Sequence, residues 1–399
     1  MDLIIGNLPV KEYNHEVLTP AFRAGGIKSK ELTPSFRVGA CKQQKIKHKT
    51  MEYKAIKNTG LSFSAMGTGC WMFGGGDYWG AHNQEDATNV IHASVAHGIN
   101  YFDTAEVYND GRSESSLGKA IKGIPRDKLI IGTKVSPSHA YSGVLEAHCE
   151  ASLKRLQTDY IDIYMIHWPI HSHAIRHFTK DENIINNPPT IEEALESMKN
   201  LIQAGKIRFI GLSNFSARRL KEEIPTDVRI VVNELPYNLL CRAIEYDTLP
   251  LCIENGIGTI GYITLMQGML TGKYATLKDV PEWQRRTRHF NGKSTPLSRH
   301  GEEGFETETE EAMNKVRCIS EKYGIRMSDM ATRWAIDSGI TCALVGARNA
   351  RQLEENVRAT GVSLTREIMK ELDEATKDLK EKLGNNFDYY ENKKDDRTR

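Results

Sequence analysis

Four ionisable side chains stand at or just beyond the ends of successive strand-like runs. The run "NYFDTAEVY" reaches Asp103 and carries Tyr108 five residues later, "LIIGTKV" brings Lys134 to the end of the next run, and "IDIYMIHW" does the same for His167. A carboxylate at the end of a run fit for burial is costly unless a positive group lies near it. Lys134 can supply that charge. A carboxylate, an ammonium, a phenol and an imidazole on one rim would make a site that handles protons. Taken singly, Asp103 reads as a turn or cap residue, Tyr108 as packing and His167 as a satisfied structural histidine. Their joint occurrence on consecutive runs is what points to a site.

The elements that must position them alternate along the chain. Strand-like runs begin at Ser64, Ile99, Leu129, Ile161, Ile207, Ile230, Gly258 and Thr341, and each is followed by an amphipathic stretch of helical period. Eight such units over about 300 residues is the count of an α/β fold of the (β/α)8 (TIM) barrel type, in which chemistry sits at the C-terminal ends of the strands. A doubly wound sheet would also alternate, but the first run continues as "GTGCWMFGGG", without the GxGxxG that opens a dinucleotide-binding helix. "YKAIKNTGLSFSA" predicts an N-terminal β-hairpin around Asn58, Thr59 and Gly60. Long loops are expected after the fourth and seventh strands, over residues 170–189 and 266–328, on the rim where active-site loops belong.

Residues 1–50 differ from the rest. They hold a tandem near-repeat, "LTPAFRAGG" and "LTPSFRVGA", and the basic run "CKQQKIKHKT". Two copies are too few to stack as a solenoid. The segment reads as a flexible extension, with Met51 an alternative start. The barrel is expected over 51–383 and a polar tail over 384–399. A net charge of +1 gives no general pull toward nucleic acid or an acidic membrane. Seven cysteines without CxxC spacing suggest neither a disulfide framework nor a zinc site, and a cytoplasmic location is the natural reading. No apolar run reaches the roughly 18 residues of a membrane span.

"GINYFDTAEVYNDGRSE", "TKV", "IHWP", "IRFIGLSNFS", "TGKY" and "GARNARQLEEN" resemble the aldo-keto reductase family in order and spacing, over roughly residues 52–362. The resemblance implies NADPH-dependent reduction of an aldehyde, ketone or open-chain sugar, with NADH a possible substitute. It makes Tyr108 the general acid, Lys134 the ammonium that favours the phenolate, Asp103 the group that holds Lys134, and His167 a donor to the substrate oxygen.

It also implies a cofactor path across the barrel mouth. Ser213 and Asn214 would bond the carboxamide with Glu234, and Tyr262 would stack on the nicotinamide near Trp71 and Asp103. Ile263, Thr264, Leu265, Gln267, Gly268 and Lys273 would follow the pyrophosphate. Gly346, Arg348, Gln352, Glu355 and Asn356 would face the adenosine end, with Arg348 the first choice for a 2′-phosphate and Arg286 the second. Three positions depart from the family's usual residues: Glu234 stands where Gln is common, Ile263 where Ser is, and Cys70 where Thr is.

Trp71, Trp79 and Trp168, with Tyr108 and His167, are candidate walls for a small carbonyl substrate. His171, His173 and His177 follow His167 closely, but the spacing is not a metal signature and they read as exposed loop residues; no metal is expected. Oligomeric state is not legible. The alternative reading is a cofactor-binding, redox-sensing regulatory subunit like the channel-β branch of the family.

Overall fold

The structure is a computed structural model that describes residues 51–76 and 78–399. The expected extension over residues 1–50 lies outside the described residues. A short antiparallel hairpin of β1 (Tyr53–Ala55) and β2 (Ser62–Ser64) precedes eight parallel strands: β3 (Met66–Gly69), β4 (Tyr101–Asp103), β5 (Ile130–Val135), β6 (Ile161–Ile166), β7 (Ile207–Ser213), β8 (Ile230–Pro236), β9 (Gly258–Tyr262) and β10 (Cys342–Gly346). β10 pairs with both β9 and β3, which closes the barrel. Each strand-like run of the sequence became one of these strands, and the hairpin formed where it was expected.

Helices cover the outside: α1 (Gln84–Ala96), α2 (Arg112–Ala120), α3 (Val144–Leu156), α4 (Ser172–Ile175), α5 (Glu182–Asn186), α6 (Ile191–Gln203), α7 (Ala217–Glu222), α8 (Thr248–Glu254), α9 (Glu306–Tyr323), α10 (Met327–Asp337), α11 (Ala350–Val357), α12 (Arg366–Ala375) and α13 (Lys377–Leu383). α4 and α5 occupy the loop after β6, and α9 ends the long excursion after β9. α1 and α6 start on side-chain caps, Asn83 and Thr190, which bind the backbone N–H groups of Asp86 and Glu193.

Strand alternation decides what enters the barrel. Along β5, Ile130 packs in the interior with Tyr101, Ile163, Met165, Val232, Ile260 and Cys342, whereas Ile131 and Val135 belong to the outer layer under the helices. Counting by twos from this interior layer leads to Asp103 on β4, Lys134 on β5, His167 past β6, Glu234 on β8 and Tyr262 on β9. The lower interior is apolar and the next layer up is ionisable. Gly132 lies between them because a Cβ there would strike the Tyr101 hydroxyl. Ile56, Leu61 and Phe63 of the hairpin pack into the same interior cluster and floor the barrel opposite the site.

Candidate active site

Lys134 is completely buried, and its Nζ meets four oxygens: Asp103 Oδ1 at 2.5 Å, the Thr104 carbonyl at 3.0 Å, Glu234 Oε1 at 3.3 Å and the Tyr108 hydroxyl at 3.4 Å. Burial alone would lower its pKa, but the Asp103 carboxylate beside it holds it above the ordinary ammonium range. Lys134 is therefore charged at neutral pH. Burial pushes the Asp103 carboxyl up and Lys134 draws it back. Burial likewise raises Tyr108, against the pull of the Lys134 ammonium.

The His167 ring stands edge-on to Tyr108, with centroids 5.6 Å apart. Its Nδ1 is buried without a hydrogen-bond partner among the described residues. Burial first, and Lys134 second, push its pKa well below the ordinary imidazole value, so the ring is neutral. The structure thus brings together all four residues that began the sequence reading.

Two residues before Tyr108, Glu106 anchors a cluster that the sequence did not reveal. Glu106, 8% exposed, receives the Ser136 N–H and His139 Nδ1 on Oε1, both at 2.8 Å, and His148 Nδ1 on Oε2 at 2.7 Å. Burial opposes ionisation, but these bonds prevail and hold the carboxyl far below its usual range. The two imidazoles stack at 3.9 Å with planes 22° apart. Both Nδ1 atoms lie within hydrogen-bond distance of the one carboxylate, and the ligand atoms of the three side chains lie within 4.8 Å of one another. The cluster joins the Tyr108 loop to the loop after β5 and to α3. Its members lie far apart in sequence and carry no shared spacing.

The expected carboxamide positions form one network. Asn214, at the left-handed φ of 65°, donates from Nδ2 to the His167 carbonyl and to Ser213 Oγ, and its Oδ1 receives the Tyr262 hydroxyl at 2.8 Å. Ser213 Oγ donates to the Glu234 carbonyl. Beyond β9 the backbone is left-handed at Ile263, Met266, Gln267 and Gly268. A β-branched residue in that region is strained, and here the turn is braced from both sides. Asn238 Nδ2 binds the Ile263 carbonyl, and Thr264 Oγ1 binds that of Leu344. A Cβ on Gly268 would meet Lys273 Nζ at 2.6 Å, so glycine lets an ammonium approach this turn. Asn214's amide, the strained turn and Lys273 fit a nicotinamide at one end and a pyrophosphate at the other.

At the expected adenosine end, Asn356 Nδ2 binds the Gly346 carbonyl and Gln352 receives the Arg348 N–H, while Glu355 lies further along the same helix, α11. The Arg348 guanidinium is already engaged: it donates to the carbonyls of Trp79 and Ala81, clasping the loop after β3. Arg286 lies 4.7 Å over the Tyr78 ring and 5.7 Å from that of Tyr390, and its Nε has no hydrogen-bond partner among the described residues.

Aromatic rings line the approach to Tyr108. Trp71 stacks on Tyr78 at 5.2 Å, meets Trp79 edge-on and lies 5.6 Å from the Tyr108 ring. Trp168 is covered differently, by the Arg397 guanidinium at 4.0 Å. That residue belongs to the polar tail, which folds back over the rim. Asp388 and Arg397 form a buried two-pronged ion pair, Tyr389 is 1% exposed, and Gln267 Nε2 donates to the Tyr390 hydroxyl. The loop histidines are met by the same tail: His171 by the Arg397 carbonyl, His173 by Asp395 and His177 by Glu391. His173 and His177 are exposed, as the sequence suggested, and His171 is half-buried, but the sequence did not reveal that each meets the tail. Their partners are remote in sequence, and burial holds His171 and His177 down to about 4, hence uncharged at neutral pH.

Known proteins resemble this chain in sequence and fold. Residues 65–377 match the model of the "Aldo/keto reductase family". Aldo-keto reductase YhdN of Bacillus subtilis is 34% identical over 336 residues, spanning 81% of this chain and 92% of that protein. The NADH-specific methylglyoxal reductase of Escherichia coli is 29% identical over 346 residues, with 80% and 98% covered. The crystal structure of an aldo/keto reductase from Klebsiella pneumoniae in complex with NADP and acetate superposes with a TM-score of 0.58 at 26% identity, over 79% of this chain and 92% of that one. With a closed eight-stranded barrel and a family match over most of its length, the chain belongs to the aldo/keto reductase family of NAD(P)H-dependent oxidoreductases.

Proposed function

We propose that the protein reduces a small carbonyl compound, an aldehyde, a ketone or an open-chain sugar, to an alcohol, with NADPH as the favoured reductant and Tyr108 as the general acid. The observation that carries this reading is the position of the Lys134 ammonium, 2.5 Å from Asp103 and 3.4 Å from the Tyr108 hydroxyl. When bound, the cofactor supplies a hydride to the carbonyl carbon. As charge develops on the carbonyl oxygen, Tyr108 delivers its proton there and is left as a phenolate. A buried phenolate would be prohibitive by itself, and Lys134 offsets that cost. Asp103 keeps Lys134 in place and charged. Neutral His167 donates to the same oxygen from one ring nitrogen, and donors preorganised toward developing charge are commonly the largest catalytic contribution. Trp71 walls the approach and helps to exclude water.

The NADP-bound relative and the NADH-specific one support a nicotinamide cofactor without fixing which form is used. Arg286, the second choice for the 2′-phosphate, favours the form that carries the additional phosphate. The cysteines among the described residues are all free, in keeping with a cytoplasmic setting.

Purified protein is expected to oxidise NADPH in the presence of 4-nitrobenzaldehyde. Tyr108→Phe should reduce turnover by at least about 10²-fold, within the range of general acid catalysis, while NADPH still quenches protein fluorescence. Undiminished turnover in the variant would reject Tyr108 as the acid. Tight NADPH binding without turnover on a broad carbonyl panel would instead identify a cofactor-sensing subunit.

A further inference from the structure

One ammonium at the barrel mouth faces two carboxyl groups. Lys134 Nζ lies 2.5 Å from Asp103 Oδ1 and 3.3 Å from Glu234 Oε1, and the two carboxyl residues are 3% and 2% exposed. Glu234 Oε2 is buried with no hydrogen-bond partner among the described residues. The groups that share its field are Asp103 and Tyr101 from β4, Tyr108 from the loop that follows, Lys134 from β5, Tyr262 from β9 and Cys342 from β10. Among these Lys134 is the one cation, and the phenols and the thiol are all pushed above their ordinary values and uncharged at neutral pH.

The charge count therefore does not close if both acids ionise. Two carboxylates and one ammonium leave a net negative charge among three almost fully buried side chains, an arrangement that neighbouring acids avoid by retaining a proton. Asp103 has the shorter contact to the cation. Glu234 has the longer one and an oxygen left over.

We propose that Glu234 is held as the neutral carboxylic acid while Asp103 stays ionised, and that this protonated form binds the nicotinamide carboxamide, making Glu234 a positioning residue through which pH controls cofactor affinity. The proposal rests on the nicotinamide reading above. Its chemical logic lies in the hydrogen-bonding inventory. A primary amide, the usual group at this place in the family resemblance, both donates and accepts, a carboxylic acid does both as well, and a carboxylate only accepts. The proton preserves two-sided recognition in a side chain that would otherwise lose half of it. Burial first, and the Asp103 charge second, raise Glu234 well above the ordinary carboxyl range, in keeping with this assignment.

The proton can be read without any ligand. Infrared difference spectra between neutral and alkaline pH should show the carbonyl stretch of a neutral acid in the wild-type protein, shifted by 13C-glutamate labelling and missing in Glu234→Gln. NADPH titrations across pH should show the wild-type Kd rising by up to tenfold per unit above the Glu234 ionisation, a limb that Glu234→Gln lacks. Only carboxylate bands at neutral pH, or the same alkaline limb in Glu234→Gln, would overturn the proposal. If NADPH bound at no pH, the nicotinamide reading and the binding half of the proposal would fall together, and the infrared band would still decide where the proton is.

Discussion

The Tyr108 hydroxyl accepts a hydrogen bond from Lys134 Nζ at 3.4 Å, while the same ammonium lies 4.9 Å from the centre of the Tyr108 ring. Lysine and phenol thus meet at the phenol's edge, where an incipient negative charge would sit. Lys134→Met is expected to lower kcat by about 10²-fold or more, the size of effect seen when one preorganised donor is removed. Single-turnover measurements should place the loss in the reductive step and not in NADPH binding.

Asp103 and Lys134 also form a buried ion pair, and the usual cost of stranding one partner is about 3–5 kcal/mol. Here Glu234 is poised to replace one partner. Asp103→Asn should fall below that range, because Glu234 can ionise and take over the cation. The double variant Asp103→Asn/Glu234→Gln should then be destabilised by more than the sum of the single variants, since neither can compensate for the other. Urea denaturation of the four proteins checks the cycle, and strict additivity would argue against a shared charge.

Glu106 should reveal itself through acid stability. Its folded-state pKa lies far below that of the unfolded chain, so it contributes stability above the unfolded value of about 4.3, and this contribution is lost as pH falls toward the folded value. Glu106→Gln should be less stable than wild type at pH 7, and the gap should begin to narrow only as pH falls below about 4. Guanidinium midpoints measured at pH 7 and at a series of pH values below about 4 test this. A gap that stayed constant with pH would show that the carboxylate charge is not what holds the cluster.

The tail offers a further test. Arg397→Ala removes the partner of buried Asp388 and uncovers Trp168. A loss of about 3 kcal/mol is expected, together with a shift in tryptophan emission. Asp388→Asn/Arg397→Met should recover part of the stability, because no buried charge is left unpaired. Equal destabilisation of the single and double variants would make packing, and not charge, the main contributor.

Much of this was legible in the sequence because the barrel repeats one simple requirement. "LIIGTKV" can be read as a strand by its apolar run, and its lysine stands out because a buried acid on the preceding run demands a cation. That reasoning found Asp103, Lys134, Tyr108 and His167, and the structure brings them together. It fails where a contact joins segments that share no period. Arg348 could be placed after the eighth strand, but its bonds to the Trp79 and Ala81 carbonyls depend on the course of another loop. The polar composition after Leu383 hides Phe387 and Tyr389, which are buried because Asp388 and Arg397 neutralise each other across an irregular turn. α9 had a readable face, with Ala312, Met313, Val316 and Ser320 all buried, but it lies inside a stretch whose length suggested only an insertion.

The folded-back tail also bears on how such a protein can be altered. Residues 386–399 bind the loop after β6 through Trp168 and His171, the loop after β7 through the Ser216 N–H and Arg219, and the excursion after β9 through Gln267 and Arg288. Barrel loops are often regarded as interchangeable parts on a fixed scaffold. In this protein three of them are tied by one strap, so a loop transplanted from a relative would arrive without its clasp. Substrate preference should therefore change hands only when the loops and the tail move as a set.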